Sequence, residues 1–296
     1  MSAVSDLTGV AGADGGVELT RRFAVDGVEL AWDRWGADEG TALMLGHGFS
    51  GSVHDFALQI PALAGGRPVI AFDKRGHGFS TKTGDAGAYT IERLVADEIA
   101  FLEANADGPV DLLGHSMGGR VALCTTLERP DLVRSLVLMD TSAWSFQTSD
   151  RELAALLAGF FETYDPADGL PDTSVLDGPE AELIAAQTPL AWRERKDAIF
   201  AGFDPVALQA LGLALFTDAI PSMRPRLAEV TCPATVIAGN HDHPFADQAP
   251  DLATELGDGA LVLVPGAYHS PQLTHPDEWS AAIGAHLARA EAAGNE

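Results

Sequence analysis

The chain has 296 residues, 46% of them hydrophobic and 21% charged, enough for one large core or one core with an inserted subdomain. Its 43 acidic and 18 basic residues give a net charge of −25, which repels phosphate backbones and anionic bilayers and argues against nucleic-acid and membrane partners. No stretch approaches the ~18 apolar residues of a membrane span, and the two cysteines, Cys124 and Cys232, stand in no redox or metal-ligand spacing.

The first 16 residues, MSAVSDLTGVAGADGG, lack the basic and apolar regions of a secretion signal. They read as a polar leader, and a cytoplasmic protein is expected. Residues 17–25 and 28–36 alternate apolar and polar positions around Asp26-Gly27, the signal of a β-hairpin. A continuous apolar run at 41–50 ends in Gly-His-Gly and predicts a buried strand entering a loop. A helix is expected over 53–64 and a second buried strand in PVIAFDKRGHG, residues 68–78. Apolar residues at helical spacing predict a helix over 91–106. Strand, helix and strand follow at 109–116, at Met117 to about Leu127, and at 135–143.

The rhythm then breaks. Between Trp144 and Arg226 only helix-like segments occur, at 151–164, 181–203 and 206–216, punctuated by Pro166, Pro171, Pro205, Pro221 and Pro225. Strand, helix, strand and helix resume at 233–242, 248–256, 260–270 and Pro276–Ala293. Runs of Val, Ile and Leu without strict alternation indicate strands buried on both faces. The predicted fold is therefore α/β, a mostly parallel doubly wound sheet with an inserted all-helical cap. Its core comprises residues 1–144 and 226–296, with 1–16 a flexible leader, and its cap comprises 145–225.

In such sheets ligands bind beyond the carboxyl ends of the strands, and the chemically suggestive residues sit at those ends. Gly114-His115-Ser116-Met117-Gly118 follows a strand and opens a helix. Glycines there relieve crowding between strand and helix, and the tight turn exposes the Ser116 hydroxyl. The Met117 amide, at the helix N-terminus, is placed to stabilise an oxyanion. A serine needs a base, and His269, in the loop after the last strand, is the best placed of nine histidines. Asp242, after the strand ATVIAGN, is the expected partner of His269. Asp140, at the end of SLVLMD, competes for that role. The string His241-Asp242-His243 also admits a metal reading, but no third ligand accompanies it at metal-site spacing. Gly46-His47-Gly48-Phe49 should contribute the second oxyanion donor, the Phe49 amide. Asp73-Lys74-Arg75-Gly76-His77-Gly78-Phe79-Ser80 is expected to brace a loop.

HGF, DKRGHGFS, GHSMGG, GNHD and GAYHSPQ occur in the order found in capped α/β-hydrolases, which the chain resembles from about residue 20 to 290. The resemblance implies the triad Ser116, Asp242 and His269, the oxyanion amides of Phe49 and Met117, and no cofactor or metal. It implies hydrolysis of a carboxylic ester or lactone of a small, mainly apolar substrate through an acyl-enzyme on Ser116. Expected pocket residues are Phe49, His115, Trp144, Phe146, Tyr164 and Trp192. Epoxide hydrolases and haloalkane dehalogenases carry aspartate at the position of Ser116. The alternatives are a C–C bond hydrolase and a lyase resembling the menaquinone-pathway SHCHC synthase. Convergence of Arg120, Arg193 and Arg195 on the pocket would raise the lyase reading. Expected partners are a small-molecule substrate and, at most, further copies of the same chain.

Overall fold

The structure is a computed structural model and describes residues 16–144, 151–172, 178–217 and 220–294. Its strands are β1 (Arg21–Val25), β2 (Val28–Trp35), β3 (Leu43–Gly46), β4 (Val69–Phe72), β5 (Val110–His115), β6 (Val133–Met139), β7 (Ala234–Gly239) and β8 (Gly259–Val264). They form one sheet in the order β1-β2-β4-β3-β5-β6-β7-β8. β2 is antiparallel to both β1 and β4, and every other pair is parallel. The predicted hairpin is present. Asp26 and Gly27 both take positive φ, at 45° and 78°, so the turn twist matches that of strands closing on the Val25–Val28 pair.

The helices are α1 (Ile60–Leu63), α2 (Ile91–Asn105), α3 (Met117–Glu128), α4 (Arg151–Thr163), α5 (Pro179–Gln187), α6 (Leu190–Phe200), α7 (Pro205–Phe216), α8 (Phe245–Glu255), α9 (Pro271–Thr274) and α10 (Pro276–Ala293). Successive strand residues feed opposite sides of the sheet, as the two-residue period of a strand requires. Met44, Leu112, Leu136 and Leu138 join one buried cluster with Phe101 of α2, Leu123 of α3 and Leu252 of α8. Leu43, Leu45, Leu113, Val137 and Met139 join the other, with Trp279 and Ile283 of α10.

Three predicted elements differ. The helix expected over 53–64 is two single turns, Val53–Phe56 and α1, the first closed by a capping box between Ser52 and Asp55. The segment at 181–203 is two helices. Thr188 precedes Pro189 and is extended, the conformation that the proline ring imposes on its predecessor, so α5 ends there and α6 starts anew. Finally β8 is an edge strand, and Leu261 and Leu263 are exposed rather than covered on both faces.

Between β6 and β7 the described residues form α4 to α7 and short single turns, with no strand. Phe161 of α4 and Ala207, Leu208 and Leu211 of α7 bury against Leu94 and Val95 of α2 and Met117 and Val121 of α3. Asp204 anchors this layer. One carboxylate oxygen caps α7 at Val206 N–H (2.9 Å), while the other accepts from Tyr89 Oη (2.5 Å) and Gly84 N–H (2.9 Å).

Candidate active site

Parallel register brings the ends of five strands, β3 and β5 to β8, to one edge: Gly46 pairs with Gly114, His115 with Met139, Met139 with Ile237, and Gly239 with Val264. The loops that follow carry the candidate residues. Ser116 has φ 54° and ψ −120°, a left-handed conformation that costs a residue bearing Cβ of order 1–3 kcal/mol. Its surroundings over-determine it. Ser116 N–H donates to Met139 O (2.9 Å), and Ser116 O accepts from Gly119 N–H (2.9 Å) and Thr141 Oγ1 (2.7 Å). A Cβ on Gly114 would strike the Gly118 carbonyl, and one on Gly118 would strike the carbonyls of Gly46 and His47. The glycines are thus required by strand–helix contact, not only by the turn.

His269 Nδ1–H donates to Asp242 Oδ2 at 2.8 Å, which leaves Nε2 as the free acceptor. Burial pulls the imidazole pKa down, but the Asp242 charge and hydrogen bond, helped by Glu180, outweigh it and the net movement is upward. Glu180 of α5 also accepts from Ser270 N–H (2.6 Å), tying the loop after His269 to the helical layer. Asp140 is fully buried, with φ 45°, and accepts from Gly239 N–H at 2.8 Å. Burial and the neighbouring Asp242 push its carboxyl well above the usual carboxylate range. It stands beside the imidazole's partner without being that partner.

The loop between β3 and α1 is locked by His47. Its Nδ1–H donates to Gly48 O (2.9 Å) and its Nε2 accepts from Lys74 N–H (2.9 Å); burial, then Lys74, holds the ring neutral. The N–H groups of Phe49 and of Met117, the first residue of α3, have no backbone acceptor among the described residues. Asp73 braces its loop as expected. Its carboxylate accepts from Val53 N–H and Phe79 N–H, both at 2.8 Å, and burial raises its pKa to about 6.

Two cavities meet at Phe49, Ser116 and His269. The first, about 350 Å³, is mainly apolar, with Trp144, Leu153, Leu215, Phe216, Ile220 and Phe245 in its wall, and with Met117, Arg120 and Asp242. The second, about 330 Å³, is mixed, with Ser50, Asp55, His115, Lys196, Ser270 and Gln272 beside Ile199, Phe200 and Leu273. Phe49, His115 and Trp144 therefore lie where pocket residues were expected. Tyr164 and Trp192 do not. Tyr164 donates to Gly169 O (2.8 Å) and stacks on Phe160, while Trp192 is fully buried, stacked on His54 and donating to its carbonyl (3.1 Å). Both rings go to packing the helical layer. Phe146 lies outside the described residues.

His115 is held neutral, near pKa 3, by burial and its neighbour His269, and its Nε2–H donates to His269 O at 2.7 Å. Arg193 and Arg195 line neither cavity, so the three arginines do not converge. His243 pairs with Asp247 (2.9 Å) and His241 packs on Tyr268. Neither histidine belongs to a cluster of three metal-capable groups among the described residues. The sequence reading overlooked Glu180 and Lys196, because both approach the site from helices that carry no motif.

The sequence pattern of the alpha/beta hydrolase fold family matches residues 41–276, and the chain belongs to that family. Among curated relatives, a Variovorax paradoxus protein described as "Putative carbamate hydrolase RutD" is 30% identical over 90% of this chain and 98% of its own length. The 2-hydroxymuconate semialdehyde hydrolase of a Pseudomonas species is 28% identical over 93% of this chain and 96% of its own. Among solved structures, the enol-lactonase of Burkholderia xenovorans superposes with a TM-score of 0.75 over 90% of this chain and all of that one (100%), at 23% identity.

Proposed function

We propose that the protein is a serine hydrolase of carboxylic esters or lactones, with α4 to α7 as a cap over the site. Ser116 Oγ attacks the acyl carbon while His269 Nε2 takes its proton, and Asp242 holds the imidazole in the required tautomer. The amides of Phe49 and Met117 bind the oxyanion of the tetrahedral intermediate. His269 then protonates the leaving alkoxide. A water, deprotonated by the same nitrogen, attacks the acyl-enzyme and releases the acid. The observation that carries this reading is the 2.8 Å Asp242–His269 hydrogen bond at a cavity shared with the strained Ser116. The hydrolases among its relatives support it. The test is covalent labelling by a fluorophosphonate probe, with turnover of neutral medium-chain esters. Labelling should locate to Ser116 and vanish in a folded Ser116→Ala variant; full-rate labelling of that variant overturns the reading.

One observation favours a second reading, a lyase or C–C hydrolase acting on a carboxylated substrate. Arg120 lines the apolar cavity, and its guanidinium meets only carbonyls, Trp144 O (2.9 Å) and Pro221 O (2.6 Å), with no carboxylate pair among the described residues. A buried cation without a counter-ion invites an anion. Yet one arginine within a chain of net charge −25 is a weak attractor, and the two backbone bonds already give Arg120 a task in holding the chain at both roots of α4 to α7. The expected result is a higher kcat/KM for a neutral ester than for its carboxylated match at low salt, with the gap narrowing as salt screens the repulsion over about 8–10 Å. Preference for the anion at low salt would promote the second reading.

A further inference from the structure

The two cavities differ in chemistry although they share the same reacting residues. A single ester bridging Ser116 has room for one half in each. The first lobe, walled by Trp144, Leu153, Leu215, Phe216, Ile220 and Phe245, suits an aliphatic half. The second is the more polar of the two, although Ile199, Phe200 and Leu273 also line it. Lys196 of α6 reaches into it, 3.4 Å from Asp55 Oδ1 and over the Trp192 ring, with Asp197 beside it.

Two deeply buried acceptors stand in the same wall. Gln272 is 1% exposed and its Oε1 has no hydrogen-bond partner among the described residues. His115 Nδ1 is likewise unpartnered, and is an acceptor because Nε2 carries the proton donated to His269 O. Buried polar atoms without partners are costly, about 1–3 kcal/mol each, unless something supplies the bond.

We propose that this second, more polar lobe is a substrate subsite for a neutral, hydroxyl-bearing half of the ester, with Lys196 as its specificity-determining residue. The proposal rests on the hydrolase reading of Ser116. A hydroxyl both donates and accepts, so one polyol can receive from the Lys196 ammonium and donate to Asp55, Gln272 or His115. A carboxylate would face Asp55 and Asp197. A cation would face Lys196. An alkyl chain would strip water from Lys196 and Asp55 and return no hydrogen bond. The hydroxylated half is the one member of this set that complements Lys196 and Asp55 together, and its carbon skeleton can lie on Ile199, Phe200 and Leu273. The natural substrate class is then an amphipathic ester, aliphatic on one side of the scissile bond and polyhydroxylated on the other.

The experiment compares three substrates on the full-length enzyme: butyl hexanoate, glyceryl hexanoate, and the butyl ester of hexanoic acid bearing a terminal diol. The last two place the hydroxyls on the alcohol and the acyl half in turn. At least one should exceed butyl hexanoate in kcat/KM by about tenfold, the worth of one or two net hydrogen bonds. Lys196→Met keeps the stem that covers Trp192 and removes the charge. It should pull that ratio toward unity, chiefly through KM. Ratios near unity for both diols in the unaltered enzyme, or an equal loss on all three substrates in Lys196→Met, overturn the subsite. Failure to cleave any of the three, together with an unlabelled Ser116, instead overturns the parent hydrolase reading.

Discussion

Asp140 and Asp242 leave the ends of adjacent parallel strands and stand side by side behind one imidazole, yet only Asp242 bonds it, through Oδ2 to His269 Nδ1 at 2.8 Å. Each offers an oxygen within a set that also includes a His269 nitrogen, all within 4.8 Å of one another. Two carboxylates so close and so buried do not both ionise. Burial is the larger reason that Asp140 keeps its proton, and the charge of Asp242 adds to it.

The two acids should therefore respond very unequally to amidation. Asp242→Asn loses the orienting anion and should lower kcat by about two to four decades. Asp140→Asn replaces a neutral acid with a neutral amide that can still accept from Gly239 N–H, and should cost less than about tenfold. Steady-state kinetics on both variants decides between them. The reverse order of damage would move the catalytic acid to the end of β6.

Activity should rise with pH. In the proposed mechanism His269 works as a base only when neutral, and its net pKa lies above the ordinary value because Asp242 and Glu180 outweigh the effect of burial. The limb of kcat/KM against pH should therefore fall above about 6.5. Removing the Glu180 charge in Glu180→Gln should move that limb to lower pH, with a larger fraction of active enzyme on the acid side. A limb that stays in place would show that Glu180 acts on Ser270 alone.

Stability has its own pH signature, on the far side of the molecule. His286 Nε2 and Nδ1 lie 2.9 Å from Ser135 Oγ and 2.8 Å from Thr235 Oγ1, and burial pushes the ring down to about 4. Between about 4 and its ordinary ~6.5 the ring is neutral when folded and protonated when unfolded. The unfolded chain then binds the extra proton, so stability falls as pH drops through that window, by of order 3 kcal/mol from this residue. His77 and His115, both held near 3 chiefly by burial, act in the same direction. Urea midpoints between pH 7 and pH 4 should fall less steeply for His286→Gln than for the unaltered chain. Equal slopes would remove His286 from the account.

The Asp204 anchor should be worth more than an ordinary helix cap. Asp204→Ala deletes the cap of α7 and strands the Tyr89 hydroxyl, which is itself buried. A cap is worth about 0.5–2 kcal/mol and an orphaned buried donor about 1–3 kcal/mol. Thermal unfolding should show a loss of about 2–4 kcal/mol, while Asp204→Asn, which keeps an acceptor, should lose less. Matching losses for the two would mean that side-chain volume, not hydrogen bonding, sets the effect.

Much of the site was legible before folding. Gly114 and Ser116 are readable because a strand that turns straight into a helix leaves no room for Cβ, and that demand is local, whereas Gly118 is required by the distant carbonyls of Gly46 and His47. His269 is readable because only one histidine follows the last strand at loop distance. The aromatic residues of the inserted helices were less legible. Trp192 and Tyr164 have the same composition signal as Trp144, but α6 and α4 turn them onto His54 and Phe160, whereas Trp144 stays at the cavity. Helical spacing tells which residues share a face; it does not tell what that face meets.

The sequence by itself determined the order of strands and helices, the hairpin at Asp26-Gly27, the turn at Ser116 and the break in rhythm after Trp144. Each follows from side-chain periodicity or from steric demands within a few residues, and neither needs distant contacts. The sequence favoured Asp242 over Asp140 as the partner of His269, and tertiary structure decided between them, since both follow strands of the same sheet and differ in the path of the loops beyond. Tertiary structure alone brought Glu180 and Lys196, from helices without motifs, to Ser270 and Asp55. It also divided the space around Ser116 into an apolar lobe and a mixed, more polar one. These outcomes depend on ångström-scale placement of side chains tens to hundreds of positions apart, and packing of whole helices on the sheet sets that placement.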